Sequence, residues 1–179
     1  MRKVVYSLTN SLDNFIARAD GAADWILMGD EIMNEFPKMF ARFDTVLIGR
    51  KTYDFTLLHS PETGQKMSGY MEMKSYVFSR TMKESPNADV KIVSDNAGEF
   101  VRNLKNESGK DIWLMGGGIL AASLLKERLV DEIGMAIQPI LLGSGVPLFP
   151  DLGIQVDLQL LEFKTYKNGI VGLNYRVKN

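Results

Sequence analysis

The sequence predicts an α/β fold with a mostly parallel central sheet, antiparallel C-terminal strands and flanking helices. Short apolar runs alternate with helical patterns over most of the 179 residues, which is typical of strands joined by crossover helices. Near the C-terminus, two alternating runs flank the pair Asn168-Gly169, a sequence that favours a tight hairpin. Length and a hydrophobic content of 45% predict a single domain over residues 1–179.

The predicted strands are short β-branched or aromatic runs, and the predicted helices have apolar residues three or four positions apart. In chain order, strands are predicted at 3–10, 45–49, 75–79, 90–94, 111–116 and 132–143, followed by the hairpin at 158–178. Helices are predicted at 29–43, directly after residue 49, at 96–107 and at 119–129. Pro37 predicts a kink in the first helix or its division into two short helices. Pro139 predicts that the strand at 132–143 lies at an edge or carries a bulge.

The composition excludes several classes of protein. Cysteine is absent, so disulfides, thiolate metal sites and a cysteine nucleophile are excluded, and we predict no metal site. The formal net charge of −1 gives no support for nucleic acid or an anionic membrane as the main partner. No apolar run approaches the roughly 18 residues that span a bilayer. The N-terminal residues turn polar too early for a signal peptide, and we therefore expect a cytoplasmic protein.

The stretch "VLIGRKTYDF" is a candidate anion site. Gly49 ends a predicted strand, and Arg50, Lys51 and Thr52 open the helix that follows. The N–H groups and dipole of a helix N-terminus attract an anion, to which the basic pair adds full charges. The alternative is a simple glycine turn with a solvated basic pair.

Two further strand ends belong to the same edge of the predicted sheet. In "YVFSRT", Ser79 and Arg80 place a hydroxyl beside a guanidinium, a pair suited to phosphate, although a polar strand end is the alternative. In "DIWLMGGGILAASLLKE", Gly116, Gly117 and Gly118 separate a strand from a helix. This spacing does not fit the dinucleotide fingerprint Gly-x-Gly-x-x-Gly with an acid about 20 residues later. Because ligands of such sheets bind at the carboxyl ends of the strands, the three turns together indicate NADPH rather than NADH.

The order of these motifs resembles the dihydrofolate reductase-like superfamily across nearly all of the chain. "GRKTY" resembles its first phosphate turn, "VFSRT" its 2′-phosphate strand end, and "WLMGGGILAASLL" its glycine turn and helix. "SLTNSLDNFIARADGAADW", "LVDEIGMAIQPILLGSGVPLF" and the final hairpin are similar to one branch, the reductase domain of the bifunctional riboflavin-biosynthesis deaminase/reductase and its stand-alone relatives. The resemblance implies a three-layer dihydrofolate reductase-like fold, NADPH as cofactor, a small-molecule substrate and a homodimer.

By position, the resemblance also implies which residues contact the cofactor. Ser79 and Arg80 would face the 2′-phosphate, and the glycine turn would face the pyrophosphate and nicotinamide, with a cis peptide bond at Gly116-Gly117. The full set of implied NADPH contacts is Thr9, Ile16, Ala17, Gly49, Arg50, Lys51, Thr52, Ser79, Arg80, Gly116, Gly117, Gly118, Ile119 and Leu120.

The acid candidates lie at the start of the first helix. Pterin reductases have one carboxylate there, a few residues after a tryptophan, and here Trp25 precedes Asp30 by five residues, with Glu31 next. In an apolar pocket such a carboxyl has a raised pKa and can hydrogen-bond a pyrimidine or pterin edge. Alternatively, Asp30 and Glu31 only favour the helix start through its dipole. Trp25, Met33 and Phe36 are candidates for the substrate pocket, or for the core.

Several departures from the family affect the substrate more than the cofactor. Ile119 stands where dihydrofolate reductases often have a basic residue, Asn14 where relatives commonly have glycine, and the acidic "DDP" element of riboflavin reductases is not evident in "TYDFTLLHSP". We expect an NADPH-dependent oxidoreductase of a pyrimidine-type molecule, most similar to 5-amino-6-(5-phosphoribosylamino)uracil reductase. The alternatives are a dihydrofolate or pterin reductase and a non-catalytic NADP-binding protein.

Overall fold

The computed structural model describes residues 1–59 and 73–178. Its strands are β1 (Val4–Ser11), β2 (Phe15–Ala17), β3 (Phe43–Gly49), β4 (Lys74–Phe78), β5 (Val90–Val93), β6 (Asp111–Gly116), β7 (Glu132–Gln138), β8 (Val146–Pro147), β9 (Leu158–Thr165) and β10 (Val171–Val177). Its helices are α1 (Asp30–Phe40), α2 (Arg50–His59), α3 (Ala97–Asn106) and α4 (Gly118–Lys126).

A large mixed sheet forms the middle layer. Its strand order is β5-β4-β3-β6-β1-β7-β10-β9, and a separate small sheet pairs β2 with β8. The six strands from β5 to β7 are parallel, whereas β10 and β9 run antiparallel to their neighbours. The predicted fold class is therefore confirmed: a mostly parallel sheet with antiparallel C-terminal strands and helices on its faces.

Two apolar clusters hold the helices on opposite faces of this sheet. One contains Tyr6 and Leu114 of the sheet with Leu104 of α3 and Leu124 of α4. The other packs β3 and β4 against Tyr53 of α2, with Phe40 of α1 at its margin. Since the side chains of a strand alternate between faces, each central strand contributes to both clusters. The face toward α1 and α2 is called the α1 face below.

The prediction for Pro139 is wrong, and of the two alternatives predicted for Pro37, the division into two short helices is wrong. The first helix is continuous from Asp30 to Phe40 and contains Pro37, rather than being divided in two. It ends one turn later, so the proline removes only one intrahelical donor near the terminus. The strand β7 is not at an edge, because it lies between β1 and β10. It ends at Gln138, immediately before Pro139, so the proline terminates the strand and breaks no ladder bond.

Ion pairs close the amino-terminal edge of the parallel strands. Glu132, at the start of β7, accepts hydrogen bonds from Lys3 Nζ at 2.7 Å and Arg42 Nη2 at 3.1 Å. Arg42 also binds Asp111, at the start of β6, at 2.6 Å. Two further ion pairs at this edge involve buried cations, Arg2 with Asp44 and Lys105 with Asp131. The amino-terminal edge is therefore a cross-linked, closed surface.

Burial by itself would raise the pKa of Glu132, but the hydrogen bond from Lys3 and the charge of Arg42 outweigh it and lower the pKa below its usual value. A carboxyl whose pKa is lower in the folded state contributes stability above its unfolded pKa, and this contribution is lost as the pH falls through the folded pKa. The ion pairs of Glu132 therefore stabilise the protein at neutral pH and not in acid.

We predict that Glu132→Gln lowers the free energy of unfolding at pH 7 by about 2 kcal/mol, less than for a fully buried pair because both cations are partly exposed. The difference from wild type should shrink as the pH falls below the unfolded-state pKa of about 4.3 and on through the lower folded-state pKa, where the wild-type carboxyl takes up its proton. Urea unfolding across this range checks it, with the exposed Glu107→Gln as control. A pH-independent difference would contradict the assignment.

Candidate functional site

At the opposite, carboxyl-terminal edge, two glycine turns touch each other. A Cβ atom on Gly49 would lie 2.9 Å from the backbone nitrogen of Gly117, a distance that side chains do not adopt. A Cβ on Gly117 would lie 3.0 Å from Thr52 Oγ1 of α2. The peptide bond between Gly116 and Gly117 is cis, as predicted. The turn at Gly49 and the turn at Gly116–Gly118 therefore form one unit in which only glycine fits at the contact.

Glycine is required at position 118, the third of the run, for a different reason. A Cβ on Gly118 would lie 2.8 Å from the carbonyl oxygen of Leu148 and 2.9 Å from Cδ of Pro150. Gly118 is thus needed for packing of the 147–150 segment on the start of α4. Gly116 has φ +152°, which L residues rarely adopt. Close packing at Gly117 and Gly118 and the positive φ of Gly116 therefore explain why the fold requires glycine at all three positions.

The two helices that begin at this unit have no acidic residue in the first turn. This holds for α2, which starts at Arg50, and for α4, whose N-cap residue Gly117 makes no side-chain cap hydrogen bond. In contrast, α1 begins with Asp30 and Glu31, and α3 has Glu99 in its first turn. Acids are the usual occupants of a helix N-terminus. The N–H groups of α2 and α4 are therefore left for another anion.

The basic residues at this edge differ in their availability. Arg50 is engaged along its own helix, since its Nε lies 2.6 and 2.7 Å from the two carboxylate oxygens of Asp54. Lys51 is exposed. Arg80 is exposed and makes no hydrogen bond or ion pair with the described residues. It follows β4, whose last residue pairs with Gly49, so Arg80 lies beside the first turn.

Ser79 is buried, and its hydroxyl oxygen accepts hydrogen bonds from the backbone N–H groups of Thr81 at 3.3 Å and Met82 at 3.0 Å. Its backbone N–H donates to the carbonyl of Val93 on β5 at 3.0 Å. These bonds shape the turn that carries Arg80. Ser79 is therefore placed at the predicted edge, where its oxygen shapes the turn.

The remaining predicted cofactor residues lie around the same edge with different exposures. Ile119 is 72% exposed, whereas the Leu120 side chain is buried in the core, so that only its backbone is free to face a ligand. Thr9 is half-buried on β1, opposite Ala136 of β7. Ile16 and Ala17 belong to β2, whose partner strand β8 leads into the segment packed on Gly118. The structure thus brings β2 and the glycine turn into one neighbourhood.

The loop between β1 and β2 is fixed by Asp13. Its carboxylate accepts hydrogen bonds from Ser11 Oγ at 2.6 Å and from the backbone N–H groups of Leu142 and Gly143 at 3.1 and 2.7 Å. These bonds lower the pKa of Asp13, the Ser11 hydroxyl contributing most. Asn14 has φ +63°, a left-handed conformation that asparagine adopts more readily than most residues other than glycine.

The two carboxylates at the start of α1 are both exposed, so they do not lie in the apolar pocket considered above. Glu31 interacts with the turn of the β9–β10 hairpin, accepting the backbone N–H of Lys167 at 3.2 Å and pairing with its ammonium at 3.6 Å. Asp30 makes no hydrogen bond or ion pair with residues of the described ranges. Of the two, only Asp30 is therefore left free of a protein partner.

The predicted substrate residues have three different environments. Trp25 is only 6% exposed, and its indole Nε1 is buried with no hydrogen-bond partner among the described residues. Met33 is 47% exposed on α1. Phe36 is half-buried and packs edge-on against Phe40, which in turn packs on Trp113. Phe36 thus extends the aromatic contacts of Phe40 and Trp113 along α1.

Two side chains important for the geometry of this edge were not among the predicted residues. Asp54 holds Arg50, and the i, i+4 spacing of the two residues on a helix was a usable signal. Gln138, at the end of β7, accepts the backbone N–H of Leu27 at 3.0 Å and so anchors the segment before α1. No sequence signal links residues 27 and 138.

Within residues 1–59 and 73–178, no group of acidic, histidine or cysteine side chains is arranged to hold a metal ion. None of the helices in these ranges is long and apolar enough to cross a bilayer. The candidate site comprises the backbone N–H groups at the starts of α2 and α4, the basic residues Arg50, Lys51 and Arg80, and the half-buried Thr9.

Comparison with known proteins places this arrangement in a family. The RibD C-terminal domain model matches residues 2–172. The chain belongs to the RibD C-terminal domain family. Two Bacillus subtilis (strain 168) members, the uncharacterized proteins YyaP and YwjB, are 34% and 32% identical and align over 97% and 94% of this chain, and over 94% and 95% of their own lengths.

Solved RibD-like structures have the same fold. A candidate riboflavin biosynthesis protein from Shewanella sp. PV-4 superposes with a TM-score of 0.82 at 27% identity, covering all of both chains. The Thermotoga maritima diaminohydroxyphosphoribosylaminopyrimidine deaminase/5-amino-6-(5-phosphoribosylamino)uracil reductase superposes with a TM-score of 0.71 at 15% identity, over 99% of this chain and 57% of that one. A pyrimidine reductase-like protein from Corynebacterium diphtheriae gives 0.69 at 13%, over 99% and 92% of the two chains. The predicted resemblance is thereby confirmed.

We predict that Gly49→Ala lowers the free energy of unfolding by about 2 kcal/mol, because the added methyl group would overlap backbone that cannot rotate away. Thermal and urea unfolding measure the effect. Gly172→Ala is the matched control, since its Cβ would meet no atom closer than 3.7 Å. Equal stability of both variants would show that the two turns are not in contact.

Proposed function

We propose that the protein is an NADPH-dependent reductase of a pyrimidine-type small molecule, similar to 5-amino-6-(5-phosphoribosylamino)uracil reductase. One observation supports the assignment of NADPH as cofactor. The N-termini of α2 and α4 adjoin, and neither helix has an acidic residue in its first turn. Gly49 and Gly117 keep side chains out of the space between the two helix starts. Family membership supports a reductase.

The residues present fit a phosphorylated dinucleotide. Backbone N–H groups at the starts of α2 and α4 would hold the pyrophosphate, since helix N-termini bind phosphate without further charge. Arg80 would hold the 2′-phosphate, because it is exposed at the adjoining strand end and has no partner among the residues described. The charge of Arg50 is balanced by Asp54, so Arg50 would contact the dinucleotide without supplying a free positive charge. Thr9, Ile16 and Ala17 would border the nicotinamide.

When bound, NADPH supplies the hydride, so the chain has to orient the substrate, exclude water and support a proton transfer. The half-buried surface around Thr9 would position the ring to be reduced beneath α1. Asp30 is the proposed proton donor of the two acids, acting directly or through water, because Glu31 is held by the hairpin turn.

One observation supports a second candidate function. Neither Asp30 nor Glu31 lies in an apolar environment of the kind that tunes a catalytic acid. A protein that binds NADPH without reducing a substrate would need no such tuning. Such a protein would bind NADPH with ordinary affinity. It would not oxidise the bound NADPH when any pyrimidine or pterin is added.

Calorimetric titration with NADPH and NADH tests the cofactor assignment. We predict that wild type prefers NADPH and that Arg80→Ala weakens NADPH binding at least tenfold while leaving NADH binding unchanged, since only NADPH carries the 2′-phosphate. Arg50→Ala should have a smaller and equal effect on both dinucleotides. Arg102→Ala, on α3, is the matched control. Failure of wild type to bind either dinucleotide would refute the proposal.

We also propose a homodimer formed through β9, the edge strand of the large sheet. Its side chains Leu158, Leu160 and Phe163 stand opposite Val177, Tyr175 and Leu173 of β10, so that all lie on one face. The pairing register shifts between Asn174 and Tyr175, where Leu161 is the extra residue of a β-bulge in β9. This shift places Leu158 and Leu160 on the same face as Phe163. Leu158, Leu160, Leu161 and Phe163 are 38 to 68% exposed. Long exposed apolar edge strands otherwise invite aggregation.

The exposed apolar side chains of β9 form a strip that can pack against the same strip of a second copy about a two-fold axis. We therefore propose a second copy of the chain as the partner. We predict that Phe163→Lys converts the dimer to a monomer in sedimentation equilibrium, because it places a charge in the strip. Gln159→Lys, on the opposite face of the same strand, should remain dimeric. A monomeric wild type would refute this proposal. The single domain and the cytoplasmic location stay predictions.

A further inference from the structure

Residues 25–29 lead from the first loop into α1 and form neither helix nor strand. Among the residues that the structure describes, one hydrogen bond joins this segment to a strand. In this bond the backbone N–H of Leu27 donates to Oε1 of Gln138 at 3.0 Å. Gln138 is therefore the anchor of the segment on the sheet.

Gln138 lies on the same face of the sheet as Thr9. It is the last residue of β7, is only 1% exposed and is paired with Ser11 of β1. Ser11 follows Thr9 by two residues, and alternate residues of a strand share a face. Val5 of the same strand identifies this as the α1 face, because it belongs to the apolar cluster packed against α2. Gln138 therefore holds Leu27 on the α1 face, about 7 Å beyond Thr9 along the strands.

The hairpin between β9 and β10 holds the other end of the same segment. A Cβ atom on Gly29 would lie 3.0 Å from Nδ2 of Asn168 in the hairpin turn. Two residues later, Glu31 accepts the backbone N–H of Lys167 at 3.2 Å. The start of α1 is thus held from two sides, by the end of β7 before it and by the hairpin turn beside it. Asp30 lies between these two attachments.

Resting on the proposed function, we infer that Gln138 is a positioning residue for the reduction, whose amide oxygen sets the position of Asp30 relative to the nicotinamide. Leu27 and Asp30 are three residues apart, so their Cα atoms lie within about 11 Å of each other. The anchor is itself about 7 Å from Thr9, which would border the nicotinamide. A misplacement of about 1 Å can lower a rate by about two orders of magnitude. Gln138 acts through the backbone that it holds.

A glutamine suits this position because its amide oxygen is an uncharged acceptor. It accepts the N–H of Leu27 without placing a negative charge close to Asp30 and Glu31, where like charges would repel. Burial of Gln138 also keeps water from competing for the amide oxygen. Both properties favour one fixed arrangement of the segment.

Amide hydrogen exchange tests the anchor in the ligand-free protein. Gln138→Met removes the acceptor and keeps a side chain of similar volume. We expect the Leu27 amide to exchange at least tenfold faster in this variant than in wild type, while the amides of α3 exchange equally in both. Unchanged exchange at Leu27 would show that Gln138 does not hold the segment, and would overturn the inference.

Steady-state oxidation of NADPH with 5-amino-6-(5-phosphoribosylamino)uracil tests the positioning. We expect kcat of Gln138→Met to be at least tenfold lower than that of wild type, whereas the Kd of NADP⁺ should change less than twofold. Gln138→Glu keeps a carbonyl oxygen as acceptor, and burial favours the uncharged carboxyl. This variant should therefore restore kcat to within threefold of wild type.

Ser75→Ala is the matched control for the loss of a buried hydrogen bond. The Ser75 hydroxyl is buried at the start of β4, at the opposite edge of the sheet, and donates to the carbonyl oxygen of Met73 at 3.3 Å. Its removal should leave kcat unchanged.

Three results would contradict this role of Gln138. Equal kcat in Gln138→Met and wild type would overturn it directly. Failure of Gln138→Glu to restore kcat would assign the loss to packing rather than to the hydrogen bond, and would overturn it as well. A wild type that binds NADPH but does not oxidise it would refute the proposed reductase and this inference together. That last failure is recognised in wild type alone, before any variant is compared.

Discussion

The contact between the turn at Gly49 and the cis peptide at Gly116-Gly117 is the constraint on which the candidate site depends. The ends of β3 and β6 approach until one backbone touches the other, and Thr52 packs against the same peptide. Any side chain at the contact would separate α2 from α4. Because the two helices start at this point, their N-termini converge and leave donors for an anion. The geometry of the cofactor site is thus set by packing of the main chain.

The two edges of the sheet divide structural and binding tasks. At the amino-terminal edge, the charged groups Lys3, Arg42 and Glu132 satisfy one another and hold the strand starts together. At the carboxyl-terminal edge, Arg80 and Asp30 have no protein partner in the described ranges. Ligands of parallel sheets bind at this second edge. The distribution of satisfied and unsatisfied charge agrees with that rule.

Local patterns predicted the elements but not the contacts between distant loops. The alternating runs identified β3, β6 and the C-terminal hairpin because these strands are buried on one or both faces. They could not identify β2 and β8, two short strands that pair only because Ala17 and Val146 are brought together by the fold. The free state of Arg80 likewise depends on side-chain geometry, whereas the i, i+4 spacing of Arg50 and Asp54 is a local signal for their ion pair.

A structure of the protein crystallised with NADP⁺ tests the central claim most directly. The account predicts a pyrophosphate on the N–H groups at the starts of α2 and α4, beside the cis peptide, with the 2′-phosphate at Arg80. The nicotinamide should lie near Thr9, Ile16 and Ala17. A dinucleotide bound elsewhere, or a pyrophosphate away from both helix N-termini, would contradict it.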